Sequence, residues 1–309
     1  MISKRQRAFL RAQAFRKWFW RIAGPILTVL IILLSCNDAH PLYKAWTWSA
    51  IFQVTGLGDA PTSDAPCTVR VLDVGSADCI WIRCGDTSLL VDTGTAQGAA
   101  LRAANLARLG ARPLNALILT HLHDDHAGAA AEMAEALHPQ EVWVGAGTAQ
   151  SAEWAALRPQ FPERCTVRAV SAGQMIRCGA LIVEILYESD GDGNETSLVL
   201  RVWYESVRML FMGDAEADTE QALLASGQDL TADWIKIGHH GSATSTTGDF
   251  LDAVSPRFAV ISCGSAHPPS ADVLQNLRSR RIPYRRTDLD GAVLFATDGA
   301  NYEMFTENS

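Results

Sequence analysis

Three histidines and two aspartates fall within six consecutive positions, His121-Leu122-His123-Asp124-Asp125-His126. Imidazole nitrogens and carboxylate oxygens bind Zn²⁺, and also Mn²⁺ or Fe²⁺. In extended backbone His121 and His123 point the same way, because side-chain direction repeats every second residue. Both can therefore reach one cation. Asp125 and His126 come where the chain turns and can aim at a second cation beside the first. So dense a ligand set rarely arises as an ordinary solvated turn. Two cations roughly 3.5–4 Å apart would bridge a water and lower its pKa toward neutrality, giving a nucleophile without a separate protein base.

The elements that must hold this cluster can be read around it. Ala116-Leu117-Ile118-Leu119 is a short apolar run that reads as a buried strand. Ala127 to Leu137, rich in Ala, Glu, Met and Leu, reads as a helix. The cluster thus sits on a strand-to-helix turn, where α/β folds place their chemistry. Val207 to Met212 is a further apolar strand, ending in Gly213-Asp214-Ala215. A carboxylate at the end of a buried strand needs a partner. Trp234-Ile235-Lys236-Ile237 runs into Gly238-His239-His240-Gly241-Ser242. Adjacent side chains diverge there, so one His can bind metal while the other faces substrate. Lys236 and Ser242 are candidate anion contacts. Asp78 can hydrogen-bond a metal-binding His or a nearby loop. Asp92, before a Gly at a strand end, suits both a turn and a site. Strands alternate with helices in two halves, which suits an αβ/βα sandwich.

His121, His123, Asp125 and His126 match His-x-His-x-Asp-His, and at these residues the chain resembles the metallo-β-lactamase superfamily. Further matches point to one subgroup, the hydrolase domain of ComEC-type DNA-uptake proteins and its stand-alone relatives. Leu72-Asp73-Val74-Gly75 with Asp78 resembles its first strand, with Ser76-Ala77 in place of Gln-Gly. Asn194 with Ser197-Leu198-Val199, His267-Pro268, and a closing hairpin at Thr287-Asp288-Leu289-Asp290-Gly291 also match. The resemblance implies an α/β, four-layer αβ/βα sandwich over residues 67–305. It implies two divalent cations, Zn²⁺ first and Mn²⁺ second, held by His121, His123, Asp125, His126, Asp214 and His240. Asp214 would bridge both, and Asp125 would orient the nucleophile. His239 would act as phosphate contact or general acid, and Asn194 and His267 would face the first metal or the substrate. A third metal-binding His is usual in the superfamily near Asn194; this chain has no His between 139 and 238, so the first site is more open.

The formal net charge is −8. The first 21 residues hold seven basic residues and no acid, which leaves the rest of the chain at −15. A body this acidic repels nucleic acid at long range. One basic run, Arg278, Arg280, Arg281, Arg285 and Arg286, is a candidate nucleic-acid track. The apolar run Ile22–Leu34 after the basic start, closing on Leu33-Leu34-Ser35-Cys36, is patterned as a signal, lipoprotein or membrane-anchor segment over residues 1–36. Residues 37–66 read as a linker. The expected location is the cell envelope, with the cytoplasm as the alternative. Seven cysteines fit one lipidated Cys and up to three disulfides, or reduced thiols.

Three functions follow. The first is a binuclear phosphodiesterase or nuclease whose partner is a phosphodiester, DNA among them. The second is a hydrolase of a small ester or of a cell-envelope phosphodiester of the choline-phosphate type. The third is a non-catalytic binding module, against which the intact ligand set argues.

Overall fold

The computed structural model describes residues 25–26, 61–191 and 193–308. Most of the segment expected to be a signal or anchor (1–36), and of the linker (37–66), lies outside the described residues. Among the described residues no helix is long and apolar enough to cross a membrane.

Two sheets make the body. The first carries β1 (Cys67–Val71), β2 (Ile80–Cys84), β3 (Thr87–Val91), β4 (Ala116–Ile118), β5 (Glu141–Gly145) and β6 (Thr166–Val170), joined by β14 (Val293–Thr297) and β15 (Tyr302–Thr306). Their order is β15-β14-β1-β2-β3-β4-β5-β6. The second carries β7 (Met175–Cys178), β8 (Leu181–Tyr187), β9 (Val199–Tyr204), β10 (Val207–Phe211), β11 (Trp234–Lys236), β12 (Phe258–Ile261) and β13 (Tyr284–Arg286). It runs β13-β12-β11-β10-β9-β8-β7.

Alternation along each strand decides which layer a side chain enters. In β4, Ala116 and Ile118 face the interior between the sheets while Leu117 faces outward to helices. Both faces are covered, which is why the run is continuously apolar. The inter-sheet core takes Val69, Ile82 and Leu89 from one sheet and Val183, Leu200 and Met209 from the other. A chain of tilted rings, Phe211, Trp234 and Phe295, spans its centre at 5.2 and 6.0 Å. Outside the first sheet pack α1 (Ala99–Arg108) and α3 (Ala130–Leu137), through Ala103, Leu106 and Met133. Outside the second pack α5 (Ala217–Ala225), α6 (Gly248–Val254) and α7 (Ala271–Ser279), through Leu223, Phe250 and Leu277. The order helix, sheet, sheet, helix is the four-layer αβ/βα sandwich.

Several elements differ from their sequence readings. The expected helix 127–137 is two: α2 (Asp124–Ala127), then α3 after a break at Gly128. Between β5 and β6, two 3₁₀ turns flank α4 (Ala152–Leu157). The strands β6, β7 and β15 and the helix α6 carried no clear apolar signal. Edge strands pack one face only, and Met175 in β7 is 60% exposed. The closing hairpin at 287–291 begins as a one-turn helix, α8 (Thr287–Asp290), before β14. The six cysteines from Cys67 to Cys263 are free thiols. Cys67 and Cys84 stand opposite in register.

Phe211 is 1% exposed and central to the inter-sheet core. Phe211→Ala should lower unfolding free energy by about 3–5 kcal/mol in urea denaturation. Met175→Ala on the edge should change it by less than about 0.5 kcal/mol.

Candidate metal centre

Parallel pairing aligns the carboxyl ends of β3 with β4 and of β10 with β11. Asp92 follows β3, His121 follows β4, Asp214 follows β10 and His239 follows β11. The site therefore forms where both sheets end together, the usual ligand position in open α/β sheets. Gly213 makes the turn into Asp214 with φ +54°, and a Cβ there would lie 3.0 Å from Thr120. Only glycine fits that left-handed, crowded position.

Each buried histidine is tied at Nδ1 and left bare at Nε2. His126 Nδ1 donates to Asp92 Oδ2 at 2.8 Å. His240 Nδ1 donates to the Ser262 carbonyl at 3.0 Å. His121 Nδ1 lies 3.2 Å from Thr120 Oγ1 and 3.4 Å from Ser197 Oγ. The Nε2 atoms of all three are buried without a hydrogen-bond partner, as is Asp214 Oδ1. His126 Nε2 and Asp214 Oδ1 are 3.0 Å apart but not aligned as a hydrogen bond. Orphaned lone pairs converging in this way fit a shared cation.

Three clusters of potential ligands result among the described residues; Asp78, Asp92 and His126 form one, closed by the His126 Nδ1 bond to Asp92, and two remain. One is His121, His123 and Asp125; the other is Asp125, His126, Asp214 and His240. Asp125 is the carboxylate common to both, whereas Asp214, expected to bridge, falls in the second group alone. The donor set fits divalent metal ions at both positions. The backbone supports the arrangement: α2 starts at Asp124, so Asp125 and His126 lie in its first turn. His126 O accepts from Thr93 N at 2.7 Å, and Asp125 O accepts from Asp78 N at 3.1 Å.

Charges are strongly coupled. Burial, with the nearby His126 charge, drives His121 down to about 2. Burial opposes charge on His126, but Asp214 and Asp92 outweigh it and hold its proton well above the usual range. Burial would also raise Asp214, yet the His126 charge keeps it well below a normal carboxylate. Burial pushes Asp125 up as well; the His240 imidazole, its Nε2 3.4 Å from the carboxylate, and the His126 charge win and hold it at about 2. Asp92, fully buried, is raised. A bound cation would take the place of the His126 proton, since metal ligands must be deprotonated.

Lys236 is not open to an anion. It shares the inward face of β11 with Trp234, is 0% exposed, and pairs with the carboxylate of Asp78, itself 1% exposed. Asp78 also lies 3.9 Å from His126 Nδ1 and 3.8 Å from His240 Nδ1. The pair therefore joins the second sheet to the loop behind both histidines. His239 and His240 diverge, as the sequence suggests, on left-handed backbone at φ 44° and 52°. His239 is 30% exposed, with Nδ1 at 2.8 Å from Glu216 Oε1 and Nε2 at 3.9 Å from Asp214 Oδ2. Asn194 Nδ2 donates to Glu216 Oε1 at 2.9 Å, while its Oδ1 is buried with no hydrogen-bond partner. Ser242 Oγ accepts from Thr244 Oγ1 at 3.0 Å within its own loop. His267 is exposed on a turn, its backbone N donating to Gly264 O at 2.9 Å. In the basic run, Arg280 pairs with Asp252, Arg286 with Asp288 and Arg285 with Asp290, which neutralises most of the track.

Glu216, Thr120, Ser197 and Ser262 were not singled out as site residues in the sequence. Glu216 follows Asp214 by two, the one signal available. Glu220 is a further support: its carboxylate accepts from the amides of Thr246 and Thr247 at 2.5 and 2.8 Å, fixing the loop after His240.

Fold and ligands define a metal-binding hydrolase site. The profile of the Metallo-beta-lactamase superfamily matches residues 72–265, and the chain belongs to that superfamily. The chain is 34% identical over 238 residues to Competence protein ComA of Neisseria gonorrhoeae, covering 74% of this chain and 32% of that protein. It is 31% identical over 195 residues to ComE operon protein 3 of Bacillus subtilis (strain 168), covering 60% and 25%. It spans about a third or less of these relatives' length. Among solved structures, the metallo-beta-lactamase fold protein YhfI from Bacillus subtilis matches with a TM-score of 0.51 at 16% identity, covering 72% of this chain and 96% of that one.

Removing one partner of a buried ion pair strands the other charge, so Lys236→Met should cost about 3–5 kcal/mol of stability. The double variant Lys236→Met/Asp78→Asn should recover most of that loss in chemical denaturation. A double-variant loss equal to the sum of the losses in Lys236→Met and Asp78→Asn would mean that the pair is not coupled.

Proposed function

We propose that this chain hydrolyses phosphodiesters with two bound divalent cations, Zn²⁺ foremost and Mn²⁺ as the alternative. The observation that carries the reading is the pair of ligand groups sharing Asp125. Similarity to competence proteins supports a phosphodiester over a lactam, with DNA as the candidate polymer. Bound cations would supply Lewis acidity and an acidified water.

The chain's own residues do the rest. Asp125 orients the attacking water between the two ligand groups. Asp92 and the Ser262 carbonyl hold His126 and His240 in the tautomers that leave Nε2 free. Glu216 accepts the Nδ1 proton of His239 and so aims Nε2 at the site. We assign His239 Nε2 the proton that the leaving oxygen takes up. The basic and apolar start supports a place in the cell envelope. The acidic body keeps a second reading alive, a small or envelope phosphodiester of the choline-phosphate type.

Metal content by mass spectrometry should give about two ions per chain, and bis-p-nitrophenyl phosphate should be cleaved faster than p-nitrophenyl acetate. Asp214→Ala, folded by circular dichroism, should lose metal and about 10³-fold or more in kcat. No bound metal, with no activity after adding Zn²⁺ or Mn²⁺, would sink the catalytic reading. Proton donation by His239 makes a further demand. His239→Ala should slow diesters with alkyl leaving groups by about 10²-fold or more, and p-nitrophenyl diesters far less. Equal losses on both would remove His239 from that role.

A further inference from the structure

A cavity of about 650 Å³ opens beside His123, a size that suits a small organic group. One wall is the segment after β5; the other is the segment between β8 and β9. Its lining includes Leu122, His123, Thr148, Gln150, Glu153 and Asp190. The frame is fixed by close contact of two backbones from different sheets. A Cβ on Gly147 would lie 2.6 Å from the Asp190 Cα, so only glycine lets the walls meet. Gly147 N also donates to Glu188 Oε1 at 2.6 Å. At Gly193 a Cβ would stand 3.8 Å from the His123 ring; glycine leaves that edge of the first ligand group open toward the cavity.

The lining has a definite chemistry. Among the described residues it holds two carboxylates, Glu153 and Asp190, and neither Lys nor Arg. Gln150 adds an amide. Thr148 is 5% exposed, and its hydroxyl has no hydrogen-bond partner in the protein. Carboxylates accept N–H hydrogen bonds and repel a second phosphate. A polyanion threading this cavity would meet like charge on both walls.

We propose that this cavity is the subsite for the organic arm of the substrate, and that it selects an arm bearing N–H donors and no negative charge. An amino-bearing nucleobase and a primary ammonium share that chemistry. The inference rests on the phosphodiester reading and names the group attached to the phosphorus.

The test compares three p-nitrophenyl phosphodiesters, with cytidine, ethanolamine or a carboxylate-bearing glycolate as the second arm. Wild type should favour cytidine or ethanolamine over glycolate by tenfold or more in kcat/KM, and which of the two leads tells base from ammonium. Glu153→Lys/Asp190→Lys, at exposed positions, should bring the ratio to one or reverse it. A wild-type ratio near one, or a ratio unmoved in the variant, overturns the inference. In parallel, binding of free cytidine and ethanolamine is followed by saturation-transfer NMR on metal-loaded and metal-free protein. Binding that the double variant abolishes, with no diester cleaved, would leave the subsite standing and remove the phosphodiester reading instead. No binding of either, with diesters cleaved without preference, would remove the subsite alone.

Discussion

Concentrated negative charge at the meeting of two sheets is the constraint on which this structure depends. Asp78, Asp92 and Asp214 are all 2% exposed or less, and the Asp125 carboxylate lies beside that of Asp214. Carboxylates cannot stay ionised in such surroundings without compensation. Lys236 compensates Asp78, and the His126 proton or a cation compensates Asp92 and Asp214. The geometry around them follows from this requirement. Thr120 donates to Asp92 through both its amide and hydroxyl, at 2.8 and 2.7 Å, and Ser197 Oγ accepts from Asp214 N at 3.1 Å. Strain is accepted where the charges are placed: Asp92, His239 and His240 all have positive φ.

The rigid core below serves this arrangement. Short parallel strands in each sheet deliver one acid and one histidine apiece to the same edge. Rings packed between the sheets hold the two edges at a fixed separation, and the Lys236–Asp78 pair and the hydrogen bond from Gly264 N to Ser76 Oγ at 3.1 Å tie the halves at the top. Loops then differ in task. The loop of His239 and His240 is pinned by Glu220. The two segments beside His123 leave space, and their lining sets what can enter it. In the Arg run three of five side chains pair with aspartates, and the cavity beside His123 is lined by neither Lys nor Arg.

Much of the site was legible in the sequence because its ligands are local. His121, His123, Asp125 and His126 sit on one turn, and period-two alternation plus a helix start suffice to aim them. The strand ends before Asp214 and His239 were legible for the same reason, as apolar runs stopping at a Gly. The four layers followed from strand–helix alternation in two halves. Less was legible at the edges: β6, β7 and β15 bury one face or none, so they carry no strong apolar period.

What the sequence determined by itself is the inventory, namely the ligand types, their local spacing and the strands that end at them. Tertiary structure decided the partnerships. Lys236 reads as an anion contact until β11 turns it inward onto Asp78, which lies far away in the chain. Asn194 finds Glu216 as the partner of its Nδ2 only once the chain has folded. Asp125 comes to be shared by both ligand groups, and Asp214 joins His126 and His240 in the second. The reason is physical. Which way a side chain points is local, but what neutralises a buried charge depends on what the rest of the chain brings within a few ångströms.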